Sequence, residues 1–291
     1  MKNHNYSILI PSFNGLTLLK KHLPSVVKYS PGVDSITIVD DGSIDGTLEY
    51  LKGHFPKVTV LHNPKNLGFT KSVNLGIEHI SSDFVVLLNN DVEPTPGYTQ
   101  KALELFDDTV FAVNFNETAS SWPVVSWNGK LEYSRSQDKS RPYLTAWASG
   151  GSAVFQKNIW KKLGGFDPVF SPGYWEDIDL GWRAWTAGYK IIFDPNSKVI
   201  HEHESTFSIF SKDYLNLLKQ RNELLFNWKN FYEIPYRLSH YWFLFTYVLA
   251  HPGYLKVIFA ALRLAGNLQQ VSIRKRSSSE IFELVNKPYE S

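Results

Sequence analysis

Four times in the first hundred residues a short apolar run is followed by an amphipathic stretch, and this alternation narrows the choice of fold more than any other feature. Tyr6–Ile10, Ser35–Val39, Val58–Leu61 and Phe84–Leu88 read as strands, and Leu16–Lys28, Thr47–Phe55, Phe69–Ile80 and Tyr98–Phe106 read as helices. This order predicts an α/β fold, a mostly parallel sheet flanked by helices, because parallel strands need a crossover between them. Polar residues gather behind each strand: Pro11-Ser12-Phe13-Asn14-Gly15, Asp40-Asp41-Gly42-Ser43, Asn63-Pro64-Lys65-Asn66 and Asn89-Asn90-Asp91. In an open parallel sheet such carboxyl ends line one crevice, where ligands bind.

Residues 107–150 read as irregular and aromatic, with Trp122, Trp127 and Trp147 among Ser, Asn and Gly. Ser152–Phe155 then reads as a buried strand and Asn158–Leu163 as a short helix. Glu176-Asp177-Ile178-Asp179-Leu180 opens a helix that ends near Gly188. Two short strands, Lys190–Phe193 and Lys198–Ile200, lead to His201-Glu202-His203-Glu204, and the pattern beyond Phe210 is helical.

Composition removes several classes. Thirty Lys and Arg against 28 Asp and Glu leave a net charge of +2, which argues against a dedicated nucleic-acid binder. The balance is uneven: residues 1–211 carry a net −3 and residues 212–291 a net +5, and no Asp or Glu occurs from Ile234 to Ser279. With no cysteine, disulfides, thiolate metal sites and a Cys nucleophile are excluded, which fits a reducing cytosol. Met1 to Tyr6 lacks the pattern of a secretion signal, and the longest mostly apolar run, Tyr241–Ala250 with Thr246 inside it, has 10 residues where a membrane span needs ~20. A cytoplasmic chain is expected. The dinucleotide fingerprint and the phosphate-loop motif are missing, and Gly150-Gly151-Ser152-Ala153-Val154 lacks the last glycine of a hydrolase elbow.

Three segments carry candidate chemistry. Asp40 and Asp41 can hold turn amides, or one can accept the N–H of a nucleobase. Asn89-Asn90-Asp91 is a polar turn or a hard-oxygen site for Mg2+ or Mn2+. A single carboxylate binds metal weakly, so a diphosphate and a second protein ligand, His201 or His203, must complete such a site. Glu176 and Asp177 either stabilise a helix start or leave a carboxylate in the cleft as a general base.

Together these segments resemble the inverting family 2 glycosyltransferases of the GT-A fold, and among them the rhamnosyltransferase-like bacterial members. Ser7-Ile8-Leu9-Ile10-Pro11-Ser12-Phe13-Asn14 is similar to the family's opening strand and turn, and Ile38-Val39-Asp40-Asp41-Gly42-Ser43 to its base-binding segment. Asn66-Leu67-Gly68-Phe69 through Asn74-Leu75-Gly76 resembles the donor-side helix, and Leu87-Leu88-Asn89-Asn90-Asp91 stands at the D-x-D position, reduced here to one acid. Gly164-Gly165-Phe166-Asp167 and Trp175-Glu176-Asp177-Ile178-Asp179-Leu180 with Arg183 resemble the acceptor-side segment, and Val199-Ile200-His201 the late metal-binding histidine.

The resemblance implies a GT-A domain over residues 1–210, with a nucleotide-binding half to about residue 106 and an acceptor-binding half after it, then a helical region, 211–291. It implies Asp177 as base with Glu176 beside it. Mn2+ or Mg2+ would sit on Asp91 and His201, with His203 the alternative. Pro11, Phe13, Asn14, Asp40, Asp41, Asn66, Lys71 and Asn90 would meet the donor nucleotide, and Trp147, Gly150, Gly151, Trp175 and Arg183 the sugar or acceptor. The donor would be a nucleoside diphosphate sugar, a dTDP- or UDP-sugar by preference. The acceptor would be a glycan or lipid-linked glycan in bacterial cell-surface assembly. A non-catalytic sugar-nucleotide or glycan binder is the alternative. For the basic tail two readings stand open: peripheral contact with the inner face of the cell membrane, and a homodimer through the C-terminal helices.

Overall fold

The computed structural model describes residues 4–117, 123–136, 139–202 and 211–290. Its first half runs β1 (Tyr6–Ser12), α1 (Leu16–Tyr29), β2 (Ser35–Asp40), α2 (Thr47–His54), β3 (Thr59–His62), α3 (Phe69–His79) and β4 (Phe84–Leu88). β1 pairs in parallel with β2 and β4, and β2 in parallel with β3. With helices on both faces, the central strands are apolar without alternation, and Ile8, Leu9, Ile38 and Val86 are fully buried. α3 lies so close to the sheet that a Cβ on Gly76 would stand 2.4 Å from Leu9 Cδ1. Only glycine permits that approach.

The second half adds β5 (Val92–Pro94), α4 (Tyr98–Glu104), β6 (Val110–Glu117), β7 (Pro123–Trp127), β8 (Leu131–Arg135), β9 (Tyr143–Leu144), β10 (Ser152–Gln156), α5 (Lys157–Leu163), α6 (Glu176–Thr186) and β11 (Lys190–His201). The sheet order is β3-β2-β1-β4-β10-β6-β11-β5, with β9 on the side of β11. β10 runs antiparallel to β4 and β6, whereas β6 and β11 are parallel, so the sheet is mixed beyond β4.

Two expectations need correction. The stretch 107–150 is not irregular throughout, since it contains the buried strand β6 and the hairpin β7–β8. Its polar residues are inward partners: Asn114 Oδ1 accepts the Ser149 N–H at 2.7 Å, and Asn116 Nδ2 donates to the Pro195 carbonyl at 2.9 Å. The two short strands expected over 190–200 are one strand, β11, whose register against β6 shifts between Asp194 and Lys198. Asp194 fills that bulge by accepting from the Asn196 N–H and Ser197 Oγ.

The tail forms α7 (Lys212–Asn230), α8 (Ile234–Ala250), α9 (Leu255–Ala265) and α10 (Ser278–Leu284). Leu224, Leu225 and Phe226 of α7 and Ile281 of α10 belong to the same core as the sheet. The chain end is stitched to β9 through Leu144 N–H to the Lys287 carbonyl and Asn286 N–H to the Leu144 carbonyl. No described helix is long and apolar enough to cross a membrane.

Candidate active site

A cavity of about 1070 Å³ opens at the carboxyl ends of the parallel strands and extends over α6, the β7–β8 hairpin and α7. Of the residues expected to bind donor, Pro11, Phe13, Asp41, Asn66 and Asn90 line it. Asp41 is buried, and its carboxylate accepts from Asn63 Nδ2 (2.8 Å), Leu67 N (2.9 Å) and Gly68 N (2.9 Å). These donors join two strand-end loops around one carboxylate, and Oδ2, with one of them, keeps a lone pair for a ligand N–H. Gly42, at φ +80°, lets the loops touch, since a Cβ there would lie 2.7 Å from the Lys65 carbonyl carbon. Asn90 Nδ2 donates to Ser12 Oγ at 3.0 Å and fixes the end of β4 to that of β1.

Three expected donor contacts lie outside the lining. Asp40 is fully buried and spends its oxygens on the Ser43 N–H (3.2 Å) and His62 Nδ1 (2.8 Å), so it builds the turn. Asn14 joins loops instead, its Oδ1 accepting from Ile44 N at 2.9 Å and its N–H donating to Ser43 Oγ at 2.8 Å. Lys71 is exposed on α3, a solvated helix-face cation.

At the end of β11, His201 Nε2 lies 3.1 Å from Asp91 Oδ1, and Nδ1 lies 3.0 Å from Glu117 Oε1. Glu117 also accepts from Ser152 Oγ at 2.6 Å. Burial works against a charged imidazole, but the hydrogen bonds and charges of Asp91 and Glu117 outweigh it and raise its pKa to about 9. Asp91 and His201 both line the cavity. With the ring proton given up they suit Mn2+ or Mg2+ as donors, one hard oxygen and one imidazole nitrogen, with Glu117 orienting the ring from behind. Among the described residues no group of three or more His, Cys, Asp or Glu is arranged to hold an ion. The pair therefore fits a site completed by a ligand's own oxygens. His203 lies outside the described residues.

Opposite the strand ends stands the first turn of α6. Asp177 Oδ2 accepts the Gly150 N–H at 3.2 Å and Oδ1 the Ile178 N–H at 2.8 Å. Burial raises its pKa above the usual 3.8, amide bonds pull it back, and Glu117 pushes it up further. Burial and then the Asp177 charge hold the Glu176 carboxyl well above its ordinary range, and Glu176 Oε2 has no hydrogen-bond partner. Of the two, half-buried Asp177, held by two backbone amides, is pushed up less from its ordinary range than Glu176.

Trp147, Trp175 and Tyr133 form an aromatic wall beside it, with Tyr133 edge-on to Trp147 at 5.2 Å between centroids. Gly150 and Gly151 form the floor. A Cβ on Gly151 would lie 2.3 Å from Asn89 Nδ2, so a side chain there would have to displace that of Asn89. Arg183 does not reach the cavity. It is buried against Asp179 Oδ2 at 2.7 Å and donates to the Leu163 and Gly165 carbonyls. Burial opposes ionisation of Asp179, but Arg183 and then Lys229 hold its pKa below 3.8.

Tyr174 and Trp175 both have positive φ, +70° and +77°, immediately before α6. Non-glycine residues adopt this backbone at a cost of about 1–3 kcal/mol each, so the surroundings must enforce it. Asn222 of α7, fully buried, does so through Nδ2 to the carbonyls of Phe170 (3.0 Å), Gly173 (3.0 Å) and Tyr174 (2.8 Å). Lys229, about two turns further along the same face of α7, reaches Asp167 Oδ2 at 2.8 Å and Asp179 Oδ2 at 2.9 Å. Sequence reasoning missed Glu117, Tyr133, Asn222 and Lys229, and also Lys130 and Glu223, which pair at 2.8 Å on the cavity rim.

Residues 7–164, more than half of the chain, match the family model described as Glycosyl transferase family 2. The chain is 26% identical over 212 residues to the pre-mycofactocin glycosyltransferase of Mycobacterium tuberculosis, covering 70% of this chain and 44% of that protein. It thus spans less than half the length of that relative. To the N-acetylglucosaminyl-diphospho-decaprenol L-rhamnosyltransferase of the same organism it is 25% identical over 222 residues, 63% of this chain and 71% of that one. Its fold is similar to that of GalNAc-T7 solved with UDP, GalNAc and Mn2+, with a TM-score of 0.67 and 18% identity over 83% of this chain and 50% of that chain. It is also similar to the mannosyltransferase PcManGT from Pyrobaculum calidifontis in complex with GDP-Man and Mn2+, with a TM-score of 0.59 and 18% identity over 91% and 74%. These two likenesses concern the fold, which is GT-A. With that fold, and with the family model matched from β1 to the end of α5, the chain belongs to glycosyl transferase family 2.

Proposed function

We propose that the chain is an inverting glycosyltransferase that moves a sugar from a nucleoside diphosphate sugar, by preference a dTDP- or UDP-sugar, to a hydroxyl of a glycan or lipid-linked glycan. One observation carries this reading: a single cavity has Asp41, Asn66 and Asn90 on its strand-end side, Asp91 with His201 beside them, and the Asp177 carboxylate on the helix side. Pro11 and Phe13 give the base an apolar rest, and Asp41 Oδ2 accepts its N–H. Asp177 takes the proton of the acceptor hydroxyl as the oxygen attacks the anomeric carbon and the bond to the diphosphate breaks on the other face. The amides of Gly150 and Ile178 keep Asp177 aimed and charged until it is protonated. Trp147, Trp175 and Tyr133 stack on sugar faces and keep water from competing for the donor. A divalent ion held by Asp91 and His201 would supply positive charge to the departing diphosphate.

The test is Asp177→Asn. It should bind UDP- or dTDP-sugar in the presence of Mn2+ as the native chain does, read as thermal stabilisation, while transfer falls ~10²–10⁴-fold. Normal turnover by this variant would remove Asp177 from the role. No nucleotide release from any donor, by the native chain, would favour a binding protein that keeps the fold. Full activity in excess chelator would exclude the metal.

A further inference from the structure

Two consecutive helices of the tail, α8 and α9, joined by the short turn Pro252–Tyr254, each bury one face and leave the other bare. α8 exposes Leu238, Trp242, Phe245 and Leu249 at helical spacing, and α9 exposes Phe259 and Leu262. Trp242 is 67% exposed and Phe259 61%, an unusual cost for large apolar groups unless something covers them. The polar residues beside these stripes have one sign. Arg237, Lys256 and Arg263 are exposed, and no acid occurs from Ile234 to Ser279.

We propose that the exposed face of α8 and α9 docks on an anionic lipid surface. An apolar stripe flanked by Trp, Tyr and basic residues is the pattern of a helix lying in a membrane interface. A second copy of the chain fits less well: an isologous contact through this face would bring two patches together that each carry Arg237, Lys256 and Arg263 and no acid.

The position of the face agrees with the cavity below it. α8 packs on the turn of the β7–β8 hairpin, where a Cβ on Gly129 would lie 2.5 Å from Phe243 Cβ. Trp127 Nε1 donates to Ser239 Oγ at 2.8 Å, and His240 Nδ1 lies 2.6 Å from the Gly129 carbonyl oxygen. The next residues of that hairpin, Lys130, Leu131, Glu132 and Tyr133, line the cavity on the side of Asp177. The docking face is thus one element away from the acceptor wall, where a lipid-held acceptor hydroxyl would enter.

Sedimentation of the full chain with vesicles tests this independently of turnover. Vesicles of phosphatidylglycerol and phosphatidylcholine should carry the chain down, and pure phosphatidylcholine vesicles should carry far less. The triple variant Trp242→Ser, Phe245→Ser, Phe259→Ser should stay in the supernatant. The double variant Lys256→Gln, Arg263→Gln should bind the anionic vesicles roughly 25-fold more weakly, about fivefold per basic residue. All these positions are exposed, so thermal stabilisation by Mn2+ and UDP-sugar should be unchanged and reports folding. Failure of the native chain to sediment, or sedimentation that the triple variant does not reduce, overturns the proposal. A concentration-dependent dimer lost in the triple variant, without lipid binding, assigns the face to a second copy.

Discussion

At the residue scale the cleft turns on how its carboxylates are charged. In the proposed role Asp177 must be ionised to accept a proton, and burial sets its pKa above the ordinary carboxylate value of 3.8. The rate kcat/KM should therefore fall on the acid side at a higher pH than an ordinary aspartate would give, as the base is protonated from above. Glu117 adds to this rise by its charge. In Glu117→Gln the acid limb should move to lower pH, whatever happens to the height of the profile. A limb that stays in place would mean that a different group titrates. That Asp91, His201 and Asp177 share one cavity could be anticipated from the sequence because each stands at a strand end or helix start, places that are visible in local pattern. Glu117 could not. It lies 84 residues before His201, and nothing local marks it as that ring's partner.

At the element scale the strained turn before α6 depends on a helix that the sequence showed only as an amphipathic pattern. Asn222 is fully buried in α7, yet its amide is what holds Gly173 and Tyr174 in place for Asp177 to follow. Asn222→Ala leaves buried carbonyls unpaired, a cost of about 1–3 kcal/mol in stability by urea unfolding. The same change should lower kcat more than it raises the donor KM, since Asn222 touches none of the proposed nucleotide-binding residues and reaches their loop only through Ser171 and Pro172, which bond Thr70 and Phe69. A donor KM that rises in step with the loss of kcat would show that the two halves of the cavity are not independent. β6 escaped sequence reading for a related reason. A strand buried on both faces shows no alternation, and Asn114 and Asn116 look like loop residues until their inward partners are known.

At the scale of the whole molecule the charge split divides the chain differently from its packing. The acidic body and basic tail suggested a boundary near residue 210, yet α7 and α10 complete the core that the sheet begins. Lys229 neutralises Asp167 and Asp179, both buried, and Gln269 N–H donates to Asp167 Oδ2 at 3.0 Å. Without the tail Asp179 keeps Arg183 and Asp167 keeps the Val169 N–H, while both lose Lys229, and the carbonyls of residues 170, 173 and 174 lose the Asn222 amide. Removing one partner of a buried ion pair costs about 3–5 kcal/mol, a large part of the 5–15 kcal/mol that holds a typical domain together. The apolar cover that α7 gives to Trp175 and Trp182 through Phe226 would be lost as well. A chain ended at residue 210 should therefore show no cooperative urea transition and no near-ultraviolet circular dichroism from its tryptophans. If that fragment unfolds cooperatively and still binds Mn2+ and UDP-sugar, the tail is an appendage and its buried lysine has another purpose. If it does not, the basic tail has two faces with separate tasks, an inner one that completes the active-site wall and an outer one left bare.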